Sequence, residues 1–259
     1  MTSRITDYDS SITEPSRREL ISIAHWIQEN GQRTFLVGGW AVFYHTTFSG
    51  RPAAKYGAAA YRKSHYRDFV GFAPLGSKDI DLVFENKKAR ETFEQKYCRN
   101  NGYVPPSRLR ERSWTKPSSG TEILLDFDLL SNHRTVRRTK IGWTNLLEHQ
   151  VAVEVDGNVS IPAPAKELLL LYKCVALVER TDQRGLPNQD LKYLDSKIWK
   201  DANDILALHE TGIDAGLLSA ISKESGTEKI LVAAKQIIAS NFDSYGLTHY
   251  SKSRRFLHE

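Results

Sequence analysis

Phe35-Leu36-Val37-Gly38-Gly39-Trp40 and, after a long insert, Gly76-Ser77-Lys78-Asp79-Ile80-Asp81-Leu82-Val83-Phe84 are the segments on which the reading of this chain turns. The first is a short apolar strand that runs into two glycines. In the second, Asp79 and Asp81 alternate with Ile80, Leu82 and Phe84. On a strand that spacing sends both carboxylates to one face and the apolar side chains to the other. Two carboxylates a strand-step apart repel one another unless a cation sits between them. The pattern therefore points to a metal site. A strand, two glycines and a helix also bring backbone N–H groups to a helix N-terminus, where a phosphate can approach closely.

Outward from this pair, the sequence predicts a helix from Pro15 to about Glu29, a strand over Thr34–Val37, a turn at Gly38-Gly39 and a helix from Trp40 to about Phe48. The insert from Thr46 to Leu75 interleaves Tyr56, Tyr61 and Tyr66 with Arg62, Lys63 and Arg67. Such a mixture suits either contact with nucleic acid or a cover over the sheet edge. Lys87 to about Asn101 reads as a helix stopped by Gly102, and Arg112–Lys116 as a strand turning at Ser118-Ser119-Gly120. The next strand, Thr121–Leu130, carries Asp126 and Asp128 on one face, so a third carboxylate is available for the metal. A hairpin folds around Asp156-Gly157-Asn158. Beyond Pro162 the pattern is helical: Pro164–Arg180, Lys200–Glu210, Asp214–Ser222 and Thr227–Asn241, with a basic, frayed tail from His249. The fold class is α+β, with domains of 1–161 and 162–259.

Composition sets outer limits. A chain of 259 residues with 40% hydrophobic and 26% charged residues is an ordinary globular protein. The longest apolar run, Leu168 to Val178, is broken by Lys173 and is too short to span a bilayer, so no membrane partner is expected. Cys98 and Cys174 are far apart and lack metal-ligand spacing; a reduced, cytoplasmic protein is expected. A net charge of +5 suits an anionic partner such as a nucleotide or RNA. Its basic residues gather at Arg108, Arg110, Arg112 and Lys116, and again at Arg134, Arg137, Arg138 and Lys140.

Taken together, a Gly-Gly turn opening a helix, an Asp-x-Asp strand and a later acidic strand resemble the DNA polymerase β-like nucleotidyltransferases. Two further segments resemble the AbiEii-type group within that superfamily. They are Ile161-Pro-Ala-Pro164 leading into Lys173-x-x-Ala176-x-x-x-Arg180, and Lys200-Asp201-x-x-Asp204-Ile205-x-x-Leu208. The resemblance covers roughly residues 20–210. Where the group often has Ser as the second small residue, this chain has Gly39, and its gap to Asp79 is longer than usual.

The resemblance implies a nucleotidyltransferase domain with a mixed sheet and flanking helices, followed by a helical domain. It implies transfer of NMP from an NTP to an acceptor hydroxyl, with release of pyrophosphate. Asp79, Asp81 and Asp126 (Asp128 as the alternative third ligand) would bind Mg²⁺ or Mn²⁺, and Asp126 could take the acceptor's proton. Gly38, Gly39, Ser77, Lys173 and Arg180 would bind the nucleotide. Lys173 either snorkels to the surface or points into the cleft, and the resemblance favours the cleft. Asp201 and Asp204 would cap their helix or pair with Lys173 and Arg180. The acceptor would be tRNA or another RNA, a protein, or a small molecule such as an aminoglycoside. Members of the group include toxins, which implies an antitoxin partner. The competing reading is an inactive nucleotide- or RNA-binding module of the same fold; a Rossmann site is disfavoured by the missing GxGxxG.

Overall fold

The computed structural model describes residues 10–47, 76–107, 113–118, 120–247, 250 and 253–258. Most of the insert (48–75) and Arg108, Arg110 and Arg112 lie outside the described residues. Helix α1 (Ser10–Glu29) leads into strand β1 (Thr34–Val37), and α2 (Gly38–Thr47) starts at the first glycine, with no separate turn. Strand β2 (Asp79–Phe84) is followed by α3 (Lys87–Phe93). A side-chain cap opens α3, Asn86 accepting from the Ala89 N–H at 2.9 Å. One π-turn and one 3₁₀ turn carry the helical path on to Asn101, where Gly102 at φ 77° ends it.

Strands β3 (Trp114–Ser118) and β4 (Thr121–Leu129) complete a four-stranded mixed sheet in the order β1-β2-β4-β3. Its pairing decides the chemistry. Asp81 lies opposite Val37 on antiparallel β1 and opposite Asp126 on parallel β4. The acidic strands are thus direct neighbours, with the Gly-Gly helix start on the far side of β2. Phe84, Phe93 and Phe127 pack edge-to-face or tilted beneath the sheet, which anchors β2, β4 and α3 to one core.

Two hairpins follow. The first, β5 (His133–Val136) and β6 (Thr139–Gly142), was read in sequence only as a basic cluster. Its turn residues are Arg137 and Arg138, both at positive φ (46° and 70°). A two-residue hairpin turn of that kind ordinarily uses Asn or Gly, so its usual signal is absent. The second, β7 (Gln150–Asp156) and β8 (Val159–Pro164), extends through Pro164, beyond the expected change to helix at Pro162. It packs on β1 and α1. Helix α2 sits on this hairpin through His45, whose Nε2 lies 2.7 Å from the Pro164 carbonyl.

The remaining helices are α4 (Lys166–Arg184), α5 (Leu191–Glu210), α6 (Ala215–Glu224), α7 (Glu228–Asn241) and α8 (Ser253–Phe256). Helices α4 and α5 pack along their length and also reach α2, which sets them across the cleft from the sheet. Helix α5 begins nine residues before the expected start at Lys200. Its cap is Asp190, whose side chain accepts from the Tyr193 N–H at 3.1 Å. The described residues of the expected frayed tail are packed: Phe256 stacks on His209 at 4.4 Å, and the Ser253 N–H donates to Glu210 Oε1 at 2.9 Å. The protein is an α+β fold, a mixed sheet with flanking helices and further helices toward its C-terminus. No helix among the described residues is long and apolar enough to cross a membrane.

Candidate active site

A cleft of about 620 Å³ lies between the sheet and helices α4 and α5. Asp79, Asp81 and Asp126 form its floor, with Gly38 and Gly39 at one side. Gly38 has φ +68°, and a Cβ there would lie 2.7 Å from the Asp81 carboxyl carbon. Only glycine satisfies both constraints, so the helix start and the carboxylate occupy the same small volume. A Cβ on Gly39 would lie 3.0 Å from Lys200 Nζ and 3.2 Å from Ser77 Cβ, so this residue too sits at a tight junction. Ser77 Oγ in turn accepts from the Asp79 N–H at 3.3 Å and holds the strand entrance.

The floor is electrostatically unfavourable on its own. Burial, then Asp126 and Asp79, pushes the Asp81 carboxyl up to about 7, against a lowering by Lys173 and Lys197. Asp79 Oδ1 is buried with no hydrogen-bond partner among the described residues. Its other oxygen lies 3.3 Å from Lys197 Nζ. The Ser113 hydroxyl donates to Asp126 Oδ1. Hard oxygen donors, an unsatisfied buried oxygen and mutual repulsion are what a divalent cation would relieve, so these residues fit Mg²⁺ or Mn²⁺. Their ligand atoms are not drawn together: among the described residues, the group with ligand atoms all within 4.8 Å of one another is Glu148, His149 and Glu224. That group lies on the surface outside the cleft, away from Gly38 and the lysines.

The opposite wall is cationic and internally paired. Lys173 Nζ lies 2.7 Å from Asp204 Oδ2 and 3.5 Å from Asp201 Oδ1. Lys200 Nζ donates to the same Asp204 oxygen at 2.8 Å, and Arg180 pairs with Asp201. Burial disfavours the Lys173 ammonium, but Asp204 and Asp201 outweigh it and raise its pKa above the ordinary lysine value. For Lys200 burial wins, and its pKa falls. Asp201 is also penalised by burial, yet Arg180, Lys173 and Lys200 hold its carboxyl below the usual range. Lys173 and Arg180 therefore line the cleft while bound to aspartates, and Asp201 and Asp204 are their partners.

Asp128 shares the face of Asp126 but is otherwise engaged. Its Oδ2 accepts from Trp143 Nε1 at 2.6 Å, and its Oδ1 accepts from the Leu129 N–H at 2.9 Å and from Asn132. Sequence reasoning missed Ser113, Trp143, Tyr193 and Lys197, all of which line the cleft. Tyr193 and Lys197 were lost with the first half of α5; the Asp190 cap followed by Leu191, Leu194 and Ile198 is the signal that recovers them. Nothing local distinguishes Ser113 or Trp143. The second basic cluster is partly neutralised, since Arg134 pairs with Glu179 at 3.0 Å and Arg137 with Asp182 at 2.6 Å. In the first, Lys116 pairs with Glu19 at 2.8 Å.

No protein-family model and no curated protein matches the chain. Solved structures similar to it include the following three. One is an antigenic nucleotidyltransferase-like protein from Paracoccidioides brasiliensis, at 11% identity over 86% of this chain and 92% of that one, with a TM-score of 0.45. Another is the lincosamide antibiotic adenylyltransferase LnuA in its lincomycin-bound form, at 15% identity over 75% and 96%, with a TM-score of 0.40. The third is the antibiotic-resistance factor ANT(2'')-Ia, at 12% identity over 84% and 98%, with a TM-score of 0.41. With every TM-score at 0.45 or below, these similarities assign no residue and no substrate to this chain.

Proposed function

We propose that this protein transfers a nucleoside monophosphate from an NTP to an acceptor hydroxyl and releases pyrophosphate. One observation carries the reading. Three carboxylates share the cleft floor, one with a buried oxygen that lacks a hydrogen bond, beside a glycine-opened helix and opposite a cationic wall. Asp79, Asp81 and Asp126 would hold Mg²⁺ or Mn²⁺. Bound there, the cation would neutralise the carboxylates and polarise the phosphoryl oxygens.

The chain's own groups do the rest. The N-terminal amides of α2 at Gly38 and Gly39, with Ser77, receive the β- and γ-phosphates. Lys173, Lys197, Lys200 and Arg180 supply positive potential along the pyrophosphate's exit. Asp201 and Asp204 hold Lys173, Lys200 and Arg180 in place, and Asp79 on the floor holds Lys197. Asp126, oriented by Ser113, accepts the proton of the attacking hydroxyl. As the acceptor oxygen bonds to the α-phosphorus, the bond to the bridging oxygen breaks and its electron pair leaves with pyrophosphate.

In the proposed division, residues 1–161 provide the carboxylates and residues 162–259 the cationic wall. Placement in the AbiEii-type group, with a toxin role and an antitoxin partner, rests on the sequence resemblance. Of the basic residues that would suit an RNA acceptor, Arg134 and Arg137 are already paired, with Glu179 and Asp182.

The test is label transfer from each of the four α-³²P-NTPs with Mg²⁺, against total RNA and total protein. Wild type labels an acceptor and Asp81→Ala labels none. Equal labelling by both, or none by wild type, removes the catalytic reading in favour of an inactive binding module.

A further inference from the structure

The cleft does not end at Asp126. Two residues along β4, about 7 Å further on the same face, Asp128 uses its carboxylate to hold the indole of Trp143 at 2.6 Å. That ring meets Tyr172 edge-on, 4.7 Å between centroids, and the Tyr172 hydroxyl donates to the Gly142 carbonyl at 3.3 Å. The Arg134 guanidinium lies 5.8 Å from the Trp143 centroid and is steadied by Glu179 at 3.0 Å. Asp128, Arg134, Trp143 and Tyr172 line both the catalytic cleft and a second cavity of about 560 Å³ that also takes in β5 and β6 residues. The two spaces are therefore continuous along an aromatic wall whose members are each fixed by a polar bond.

Direction follows from the sheet order. Gly38 ends β1, and β1-β2-β4 places the glycines and the Asp126–Asp128 strand on opposite sides of Asp79 and Asp81. In an in-line displacement the attacking oxygen enters opposite the leaving one. With pyrophosphate leaving at the glycines, the acceptor must enter from the β4 side, past this wall.

We propose that Trp143, Tyr172 and Arg134 form the acceptor subsite and that it takes a flat unsaturated ring carried by the acceptor. The proposal rests on the nucleotidyl-transfer reading. Indole, phenol and guanidinium are stacking surfaces for planar rings. A cavity of this size holds one or two rings. The ring is either a nucleobase at the end of an RNA strand or part of a free small molecule.

The experiment measures KM for NTP and for acceptor separately, in wild type, Trp143→Ala, Trp143→Phe, Asp128→Asn and Asp128→Ala. Total RNA and a mixture of free nucleosides serve as the two acceptor arms. Trp143→Ala raises the acceptor KM on the order of 10- to 100-fold, with the NTP KM within about twofold of wild type. Trp143→Phe restores most of that loss. Asp128→Asn, which keeps an oxygen for the indole N–H, loses less acceptor affinity than Asp128→Ala. Labelling confined to RNA assigns the ring to a strand end; labelling of nucleosides assigns it to a small molecule. The subsite is overturned if Trp143→Ala raises the NTP KM instead, if neither KM moves, or if Asp128→Asn abolishes transfer as a metal-ligand change would. A wild type that labels total protein but neither of these arms, or an active wild type with no acceptor defect in Trp143→Ala, removes the subsite alone; a wild type that labels none of RNA, nucleosides and total protein removes the nucleotidyl-transfer reading and the subsite with it.

Discussion

Across the cleft, two sets of aspartates are held in opposite ways. On the helical side, Asp201 and Asp204 are almost fully enclosed, at 1% and 0% exposure, but Lys173, Lys200 and Arg180 surround them. On the sheet side, Asp79, Asp81 and Asp126 crowd one another, and their cationic help is Lys197 on Asp79 and the more distant Lys173. The same residue type, enclosed at Asp201 and half-buried at Asp81, is driven below its ordinary pKa at Asp201 and up to about 7 at Asp81. Burial penalises both. The sign is set by what lies next to each carboxylate, and so is the use to which it can be put. Aspartates ringed by cations hold helices together; aspartates that crowd one another are available to a cation and a substrate.

The comparison breaks most visibly at Asp204. Removing its carboxylate leaves Lys173 and Lys200 buried without their shared partner, and Asp204→Ala is expected to lose about 3–5 kcal/mol of stability in urea unfolding. A loss below about 1 kcal/mol would mean that water or Asp201 takes over, and the helical wall would then not be an ionic scaffold.

Asp81 provides the opposite test. Its carboxyl titrates near 7 in the folded chain and near 3.8 as a free side chain. Between those values the folded state holds a proton that the unfolded state has released. Stability in EDTA therefore falls as pH rises from about 4 to 7, then levels off. Asp81→Asn lacks this fall, so it is the more stable of the two at pH 8 while being inactive. Parallel pH curves for both proteins would show that the floor is not strained.

Lys197→Met is expected to have the smallest effect and to act in two directions. Freed of its lysine, Asp79 binds Mn²⁺ about threefold more tightly without nucleotide, while NTP binding weakens by a similar factor. Calorimetric titration of each ligand checks both. Movement of the two affinities in the same direction would make Lys197 a structural ion pair.

How much of this was legible depends on the range of the interaction. The Asp79–Asp81 strand was readable because a strand's two-residue period is local. So was the need for glycine before α2, although its sharpest cause, the Asp81 carboxylate against Gly38, is a contact between distant segments. The β5–β6 hairpin was not readable, since its turn uses two arginines where the usual signal is Asn-Gly. Spacing alone does not tell Asp126 from Asp128, because both sit on one face of one strand; only the family resemblance favours Asp126. They separate once Trp143 is seen to occupy Asp128 and Asp81 to stand beside Asp126.

By itself, then, the sequence determined where the acidic strand, the glycine-opened helix and the lysine-bearing helix lie, all written in spacing of a few residues. Tertiary structure alone decided which cation stands beside which carboxylate. Lys197 reaches Asp79 across 118 positions, and Arg180 reaches Asp201 across 21. Coulomb energy depends on distance in space and on burial, and neither is encoded in separation along the chain.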